Sequence, residues 1–448
     1  MKRKVKKCIP CILAAISVIN LSACNWIQNV FAPGKCTTLA TAATAEELHY
    51  NEQNEENYQA FRAKTNDFSA AFSSAAYEAY EKDGNFTVSP ISLFMALSLT
   101  AECSLGVTQE EILSALNTSQ TELNAYLPLL YRSLNVKHTG SSLLSEKTLG
   151  KLQLCNSVWV NESTEVCQER LHLLSNTYFC DVFSADFEKD NVQANLAVQR
   201  YVDKKTNGLI DRKFHLDTDT LFSIINTLYL KDVWTYNGDE IDRTKDKYEF
   251  ANADGSTKST RFLQGRYITG RAYETETCVS YYTRTFHGYK IKFLLPKDGY
   301  TVEDIFSEEN LTEINAVTDY DAEDEENLLR YHTRCLFPEY SASYYGDVRQ
   351  IIKNKFGVDK LFDVDECDFS PLTPSTPAYC GKLLHATKLT VNRKGIEGAA
   401  VTVMQGAGAP GPDEYTDVYL DFVVDKAFGF ILTDSYNVPL FSGVIKSI

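Results

Sequence analysis

A short segment near the C-terminus, beginning at Lys394, constrains the fold of this chain more than any other feature. A Gly, an acid and a run of small residues lead to a strand-like Val-Thr-Val at 401–403, and residues 404–412 are rich in Gly, Ala and Pro. Exposed loops are usually polar, whereas one face of this segment, read with a period of two, is mostly small, with Ile396 as the exception. The pattern predicts a loop that either stays in solvent or joins a sheet. When this segment is considered by itself, a Gly/Ala-rich linker is an equally good interpretation.

The N-terminus has the pattern of an export signal. Basic residues at 2–7 precede an uncharged stretch, 8–19, which is too short to span a membrane. The sequence Leu-Ser-Ala-Cys at 21–24 then resembles a bacterial lipobox, in which cleavage before Cys24 leaves a thiol that receives lipid. We therefore expect a lipoprotein signal peptide (1–23), a flexible acidic tether (24–58) and a folded domain (59–448). The expected location is extracytoplasmic, at the cell surface through the lipid on Cys24.

The net charge of the chain argues against nucleic acid as a partner. Without residues 1–23, the chain has 39 Lys and Arg against 60 Asp and Glu, a net charge of −21. So acidic a protein is not expected to bind nucleic acid. Nine cysteines remain after Cys24, scattered along the chain, and a domain of this size needs no disulfide framework. We expect mostly buried free thiols, no cofactor and no metal site.

The hydrophobic patterns predict a mixed α+β fold with large antiparallel or mixed sheets. Ser89 and Pro90 have the types expected at a helix start. Helical patterns cover 61–80, 107–117, 121–134, 167–178 and 191–205, and strand patterns cover 152–160, 221–230, 290–295, 383–391, 418–424, 427–433 and 440–445.

Motifs of the common enzyme classes are missing. The chain has no G-x-S-x-G, H-E-x-x-H or P-loop sequence. A G-x-G-x-x-G at 406–411 is followed by Pro and acids and not by a helix start, so it does not indicate a dinucleotide site. We predict that the protein is not an enzyme. A hydrolase with a triad assembled from distant residues is the remaining alternative.

Several short motifs, in order and at consistent spacing, resemble the serpin family from about residue 59 to 448. Each is weak alone. They are Asn85–Ser92, Asn156–Val160, Lys205–Ile210, Asn226–Lys231 with Trp234, Leu294–Lys297, Phe337-Pro338, His385-Ala386 and Pro439–Gly443.

The resemblance implies a serpin fold with three β-sheets, eight or nine helices and an exposed reactive-centre loop at about 393–417. It also implies a mechanism: a serine protease cuts the loop and forms an acyl-enzyme, and the cleaved loop inserts as a strand into sheet A before deacylation. Insertion of this kind adds a strand to an existing sheet and releases strain stored in the intact protein. The inhibitor then has no catalytic residue of its own and acts as a monomer.

The resemblance assigns roles to individual residues. It places the proximal hinge at Gly395–Thr402, the breach at Trp234, and the shutter under sheet A at four polar residues. The hinge residues are Gly395, Ile396, Glu397, Gly398, Ala399, Ala400 and Thr402, and the shutter residues are Ser89, Ser92, Asn226 and His385. A buried polar cluster and a packed core Trp would give the same sequence pattern.

Three hinge positions depart from the inhibitory pattern. Arg393 stands where an acid is common, Ile396 replaces a small residue or Thr on the inward face, and Gly398 replaces Ala. A misfit of the inward Ile costs about 1–3 kcal/mol, which predicts slower insertion and not its loss.

The scissile bond is predicted from two counts that conflict. Counting from the hinge places it after Ala409, before Pro410, with Ala407 and Gly408 as alternatives, whereas counting back from 427–428 points near Thr416. We favour the hinge count, since trapping depends on that length. Small residues here imply elastase-like or subtilisin-like targets with a small primary pocket. The competing hypothesis is a non-inhibitory serpin that acts as a cell-surface binding or structural protein, favoured by Ile396 and Pro410.

Overall fold

The computed structural model describes residues 34–44, 55–80, 84–142, 145–210, 215–235, 237–318, 320–375, 377–397 and 415–448. In these residues the α-helices are α1 (Glu55–Ala79), α2 (Pro90–Cys103), α3 (Gly106–Ala115), α4 (Gln120–Ser133), α5 (Gln168–Asn176), α6 (Asn191–Lys205), α7 (Val302–Ile305), α8 (Glu308–Ala316) and α9 (Arg349–Phe356), with a 3-10 helix at Lys360–Phe362.

The strands in the same residues are β1 (Thr37–Ala40), β2 (Phe86–Val88), β3 (Asn135–Ser142), β4 (Ser145–Asn161), β5 (Cys180–Ala185), β6 (Phe222–Val233), β7 (Tyr248–Ala251), β8 (Thr257–Thr260), β9 (Leu263–Gln264), β10 (Ile268–Thr269), β11 (Tyr273–Glu274), β12 (Cys278–Arg284), β13 (Lys290–Pro296), β14 (Glu323–Asp324), β15 (Leu329–Phe337), β16 (Tyr340–Asp347), β17 (Leu384–Asn392), β18 (Gly395–Glu397), β19 (Thr416–Val423), β20 (Phe428–Thr433) and β21 (Pro439–Ile445).

Three large sheets organise these strands. Sheet A has eight strands in the order β1-β5-β4-β6-β18-β17-β16, with β3 paired to β4. Sheet B has six strands, β11-β12-β13-β20-β21-β2, and sheet C has five, built around β15. A two-stranded ribbon, β7-β8, accompanies them. The α+β architecture with three main sheets and nine α-helices in the described residues agrees with the sequence prediction.

The predicted elements form where the patterns place them, because their apolar residues reach one continuous core. Every residue of α2 is buried, as expected of a helix that is apolar all round. Strands β20 and β21 are buried along their whole length, which explains their continuous apolar runs. A smaller core around Trp159 packs α6 against sheet A. Ser89 is the N-cap of α2, as predicted, but its hydroxyl makes no capping hydrogen bond.

The predicted flexible tether, 24–58, has regular structure in both of the parts that are described, 34–44 and 55–58. Residues 37–40 form β1, which pairs antiparallel with β5 at the edge of sheet A, and the first helix begins at Glu55 and not near 59. The N–H of Ala42 donates to the Asp181 carboxylate at 3.0 Å and that of Ala43 to the Ser175 carbonyl at 2.9 Å. The sequence Thr-Thr-Leu-Ala suits an edge strand, so this part of the chain is attached to the domain.

No helix in the described ranges combines the length and the hydropathy needed to cross a membrane. The remainder of the predicted tether and all of the predicted signal peptide, including Cys24, lie outside the described residues.

Candidate functional site

The start of the predicted hinge is a strand of sheet A. Strand β18, Gly395–Glu397, lies between β6 and β17 and pairs antiparallel with both. Ile396 stands opposite Asp232 of β6 and opposite Val391 of β17. In the described residues β6 and β17 pair with β18 and not with each other, so this end of sheet A is open by the width of one strand. The loop was expected to be exposed from about 393, and the structure instead holds its first residues in the sheet.

Ile396 is already packed beneath the sheet. It is only 2% exposed and belongs to the main hydrophobic core. Glu397 lies on the other face, where it accepts a hydrogen bond from the Tyr229 hydroxyl at 3.0 Å. Burial, together with the nearby Glu397 charge, raises the pKa of Tyr229, so that hydroxyl remains a donor at neutral pH. The unusual inward Ile is therefore accommodated at the first step of strand addition.

Gly395 is required by close packing against β6. A Cβ at this position would collide with the backbone carbonyl of Asp232. No side chain fits between the two strands where the chain first enters the sheet.

We expect Gly395→Ala to expel β18 or to shift β6, at a cost of about 1–3 kcal/mol, because the obstructing atoms are backbone. Hydrogen exchange of the amides in β18 should accelerate, and the midpoint of urea unfolding should fall. Gly381→Ala is the matched control, since a Cβ there meets only the ring edge of Tyr379 at 3.9 Å. Equal exchange in both variants would show that Gly395 is dispensable.

A buried acid and two histidines lie directly beside the hinge. Asp232, 2% exposed, pairs with the ring of His287 and accepts the His287 backbone N–H at 3.2 Å. The His287 ring stacks on His138 with centroids 4.2 Å apart. Burial lowers the pKa of His138, the His287 charge lowers it further, and Asp232 partly offsets both. The sequence analysis missed this cluster, although an Asp in the apolar run of β6 was a usable signal.

The predicted breach residue Trp234 anchors the strand that leads into the hinge. Its indole N–H donates to the Asn392 carbonyl at 2.7 Å, and its ring meets Phe337 edge-on at 5.7 Å. Trp234 is 3% exposed, so it is both a packed core residue and a direct contact of the last residue of β17. The structure thus places Trp234 at the point where β18 begins.

Arg393, which stands where an acid is common, lies next to the start of β18 and contacts the carboxylates of Glu240 and Glu339. Its backbone N–H donates to Glu339 at 3.0 Å, and its guanidinium pairs with Glu240 at 2.6 Å. Its Nε donates to the Ile241 carbonyl at 3.2 Å, and its own carbonyl accepts the Ile241 N–H at 3.0 Å. The basic residue therefore has complementary partners, Glu240 and Glu339, which the sequence analysis did not identify.

The structure brings together some of the predicted shutter residues and separates others. The Ser89 N–H donates to Nε2 of His385 at 3.1 Å across α2 and β17. Asn226 instead donates to the Asn156 side chain at 2.6 Å, and Asn156 donates to the Tyr178 carbonyl at 2.8 Å. Within the described residues, Ser89 Oγ and Asn226 Oδ1 have no hydrogen-bond partner.

Ser92 is buried in the first turn of α2, close in sequence to Ser89. The four residues therefore lie on three elements under sheet A, and Asn156 belongs with them. The hinge residues Gly398, Ala399, Ala400 and Thr402, and the scissile candidates Ala407, Gly408, Ala409 and Pro410, lie outside the described residues.

Burial lowers the pKa of His385 to about 4. An unfolded His has a pKa near 6.5, so between these values the unfolded chain binds the extra proton and stability falls as pH falls. We expect a loss of about 3 kcal/mol in unfolding free energy from pH 6.5 to pH 4 from this group.

In His385→Gln most of this pH dependence should disappear, since the amide oxygen can accept the Ser89 N–H without titrating. His215→Gln, at an exposed position, is the control and should retain it. The measurement is urea unfolding at steps between pH 7 and pH 4. Parallel decline of the wild type and His385→Gln would contradict the assignment.

The far side of the loop is also anchored. Strand β19 pairs parallel with β15 in sheet C, starting with Thr416. Arg334 holds Asp421 with two hydrogen bonds of 2.6 and 3.2 Å, and His332 contacts Asp417 at 2.8 Å. Residues 398–415 therefore connect an inserted end in sheet A to a paired end in sheet C. No cluster of metal-binding side chains occurs in the residues that the structure describes.

Comparison with known proteins identifies the family. A family model described as Serpin (serine protease inhibitor) matches residues 63–447. The chain therefore belongs to the serpin family. An alpha-1-antiproteinase of Callosciurus caniceps is 26% identical over 408 residues, covering 84% of this chain and 87% of that protein.

Two further matches extend the comparison. A corticosteroid-binding globulin of Ovis aries is 23% identical over 333 residues, covering 73% of each chain. The crystal structure of the thermophilic serpin tengpin in the native state aligns with a TM-score of 0.68 at 21% identity, covering 92% of this chain and all of that one. That structural likeness supports the fold.

Proposed function

We propose that the protein inhibits serine proteases by trapping them as an acyl-enzyme on its reactive-centre loop. The observation that carries this proposal is the double pairing of β18 with β6 and β17. A strand that is hydrogen-bonded on both edges is the start of an inserted central strand, and an ordinary surface loop has no reason to make it.

The register of β18 defines the path of further insertion. A strand that continues from Glu397 runs antiparallel to both neighbours, along 222–230 of β6 and 384–389 of β17. Each added residue gains ladder hydrogen bonds on two sides and buries its inward side chain. Asn226, whose Oδ1 has no partner within the described residues, is one of the β6 residues on this path. The energy gained over a full strand exceeds the misfit of one Ile.

The chemical step belongs to the protease. Its serine oxygen attacks the carbonyl carbon of the residue before the scissile bond, the peptide C–N bond breaks, and the leaving nitrogen takes the proton that the protease histidine received from that serine. The product is an ester between the protease and the loop. Insertion of the freed hinge side then removes the protease from its catalytic geometry before water can hydrolyse the ester.

The scissile bond in this proposal follows Ala409, with Ala407 and Gly408 as alternatives. The pairing of Thr416 with Leu329 in sheet C, and its N–H bond to the Leu328 carbonyl at 2.8 Å, support the hinge count over the backward count. A residue held in a strand is a poor protease substrate, since its backbone groups are hydrogen-bonded to the sheet and are not free to enter the cleft. Small residues at this point suit elastase-like or subtilisin-like proteases.

We further propose that the protein acts at the cell surface as a monomer, attached through lipid on Cys24. Its acidic composition supports a role away from nucleic acids and other polyanions. The membrane contact in this proposal is the lipid alone.

The second candidate function is non-inhibitory binding. It is favoured by Ile396 and Pro410, and by the likeness to a corticosteroid-binding globulin. In that case the partial insertion of β18 is a fixed feature of the sheet and does not extend after cleavage.

The test is a denaturing gel of the mature protein mixed with an elastase-type and a subtilisin-type protease, with mass spectrometry of the released C-terminal peptide. We expect a protease-inhibitor band that survives denaturant and a peptide that begins at Pro410 or within two residues before it. Cleavage by every protease without such a band would favour the binding-protein alternative.

Thermal unfolding of intact and loop-cleaved protein separates the two functions independently of any target. Insertion should raise the midpoint strongly, because a whole strand is added to sheet A. An unchanged midpoint after complete loop cleavage would rule out the trapping mechanism.

Ile396→Arg should convert the inhibitor into a substrate. The position is 2% exposed in the intact protein, so the substitution should expel β18 from the sheet, and insertion after cleavage would then have to bury an unpaired guanidinium, at a cost of several kcal/mol. We expect the number of inhibitor molecules consumed per protease trapped to rise at least about tenfold. Ile396→Val, which loses one methylene, is the control and should trap as the wild type does.

A further inference from the structure

Two cysteines, Cys367 and Cys380, lie beside the 3-10 helix Lys360–Phe362, and the Cys380 thiol donates to the Lys382 carbonyl at 3.2 Å. The Cys367 thiol donates to the Leu361 carbonyl at 3.4 Å, and the Cys380 N–H donates to the same oxygen at 3.1 Å. The Cys380 N–H also faces the Cys367 sulfur, where it favours the thiolate. Residues that share one acceptor are spatial neighbours, although a long irregular segment separates them in sequence.

The segment between them has little regular structure to hold it. Between the 3-10 helix and β17, the described residues form only turns and extended stretches. Its apolar residues Phe369, Leu372 and Ala378 pack into the main core, and the Phe369 ring meets Phe222 at the start of β6 with centroids 4.4 Å apart. A covalent bond across such a segment removes many conformations from the unfolded chain and so stabilises the fold.

The other cysteines of the described residues are placed differently. Five of them are buried, and Cys36 and Cys167 lie on other elements. Cys103 and Cys180 are near each other, but both are 0% exposed in the main core, and the Cys180 thiol donates to the Asp181 carbonyl at 3.4 Å. Cys367 and Cys380 are both intermediate in exposure, and they alone among the described cysteines share the Leu361 carbonyl as an acceptor.

We propose that Cys367 and Cys380 form a disulfide that closes the segment before β17 when the chain folds with a disulfide oxidant present. The two thiols lose two protons and two electrons as the S–S bond forms. The electrons reduce the disulfide of the oxidant, oxidised glutathione or a disulfide oxidoreductase, to two thiols through a mixed disulfide.

The timing of this reaction follows from the surroundings of the thiols. Burial raises the pKa of Cys367 to about 11 and that of Cys380 to about 12, so few thiolates exist in the folded protein. Exchange is therefore fastest before the segment packs, and the finished bond is protected from thiol reductants afterwards.

The bond would tie the start of β17 to the 3-10 helix. Cys380 lines the same cavity as Phe222 and Leu383, at the end of sheet A opposite the hinge. Because β17 is one of the two strands that flank β18, the disulfide would fix its far end. This consequence concerns the fold and does not depend on whether a protease is trapped.

The test is refolding of the mature chain in a glutathione redox buffer, followed by alkylation and non-reducing peptide mapping. We expect one linked peptide joining Cys367 to Cys380, resistant to dithiothreitol in the folded protein and reduced at once in urea. Free, alkylated thiols at both positions would overturn the proposal, as would a bond to any other cysteine, including Cys103–Cys180.

Serine variants supply a second readout. Cys367→Ser, Cys380→Ser and the double variant should each lower the thermal midpoint of the oxidised protein by the same few degrees. The midpoint of each variant should equal that of the reduced wild type, because the substitution removes only the cross-link. Cys167→Ser, at a partly exposed cysteine on another element, is the control and should leave the midpoint unchanged. Different effects of the two single variants, additive in the double, would indicate packing and not a disulfide.

Discussion

The pairing of three residues, Gly395–Glu397, with two strands at once is the interaction on which the rest of this site depends. It separates β6 from β17, buries Ile396 and brings Asp232 into backbone contact with the hinge. A central strand in a sheet gains hydrogen bonds on both edges, and its cost is the separation of strands that would otherwise pair. In the described residues β6 and β17 pair with β18 and not with each other, so the proposed insertion would lengthen an existing strand and would not start a new one.

The corner where β18 begins combines a buried acid–histidine pair with partly exposed charges. The Asp232–His287 pair, the stacked His138 ring and the Arg393 contacts with Glu240 and Glu339 lie around one turn of chain. The buried Asp232 needs a partner, which His287 supplies, whereas Arg393 and Glu240 form a partly exposed pair. The departure of Arg393 from the family pattern is thus compensated by acids on neighbouring segments. Such compensation is visible only when the segments are placed together.

Sequence reasoning recovered the elements because their hydrophobic periods are long and strong. The apolar run in β6, the start of helix α2 and the terminal hairpin β20-β21 were located to within a few residues. The reasoning erred at residues 34–44, where a short polar strand on the sheet edge has no periodic signal. It did not foresee that Asn226 bonds to Asn156 on the neighbouring strand β4 while Ser89 bonds to His385, since strand order decides which polar side chains are neighbours.

The sequence by itself determined the α+β class, the family resemblance and a loop of small residues that can enter a sheet, because periodicity and residue size are local properties. Tertiary structure alone decided that the first three hinge residues already occupy sheet A, that Ile396 is buried, and that Cys367 and Cys380 are neighbours. These are contacts between segments far apart in the chain, and the free energy that selects them comes from pairing and packing that no single segment contains.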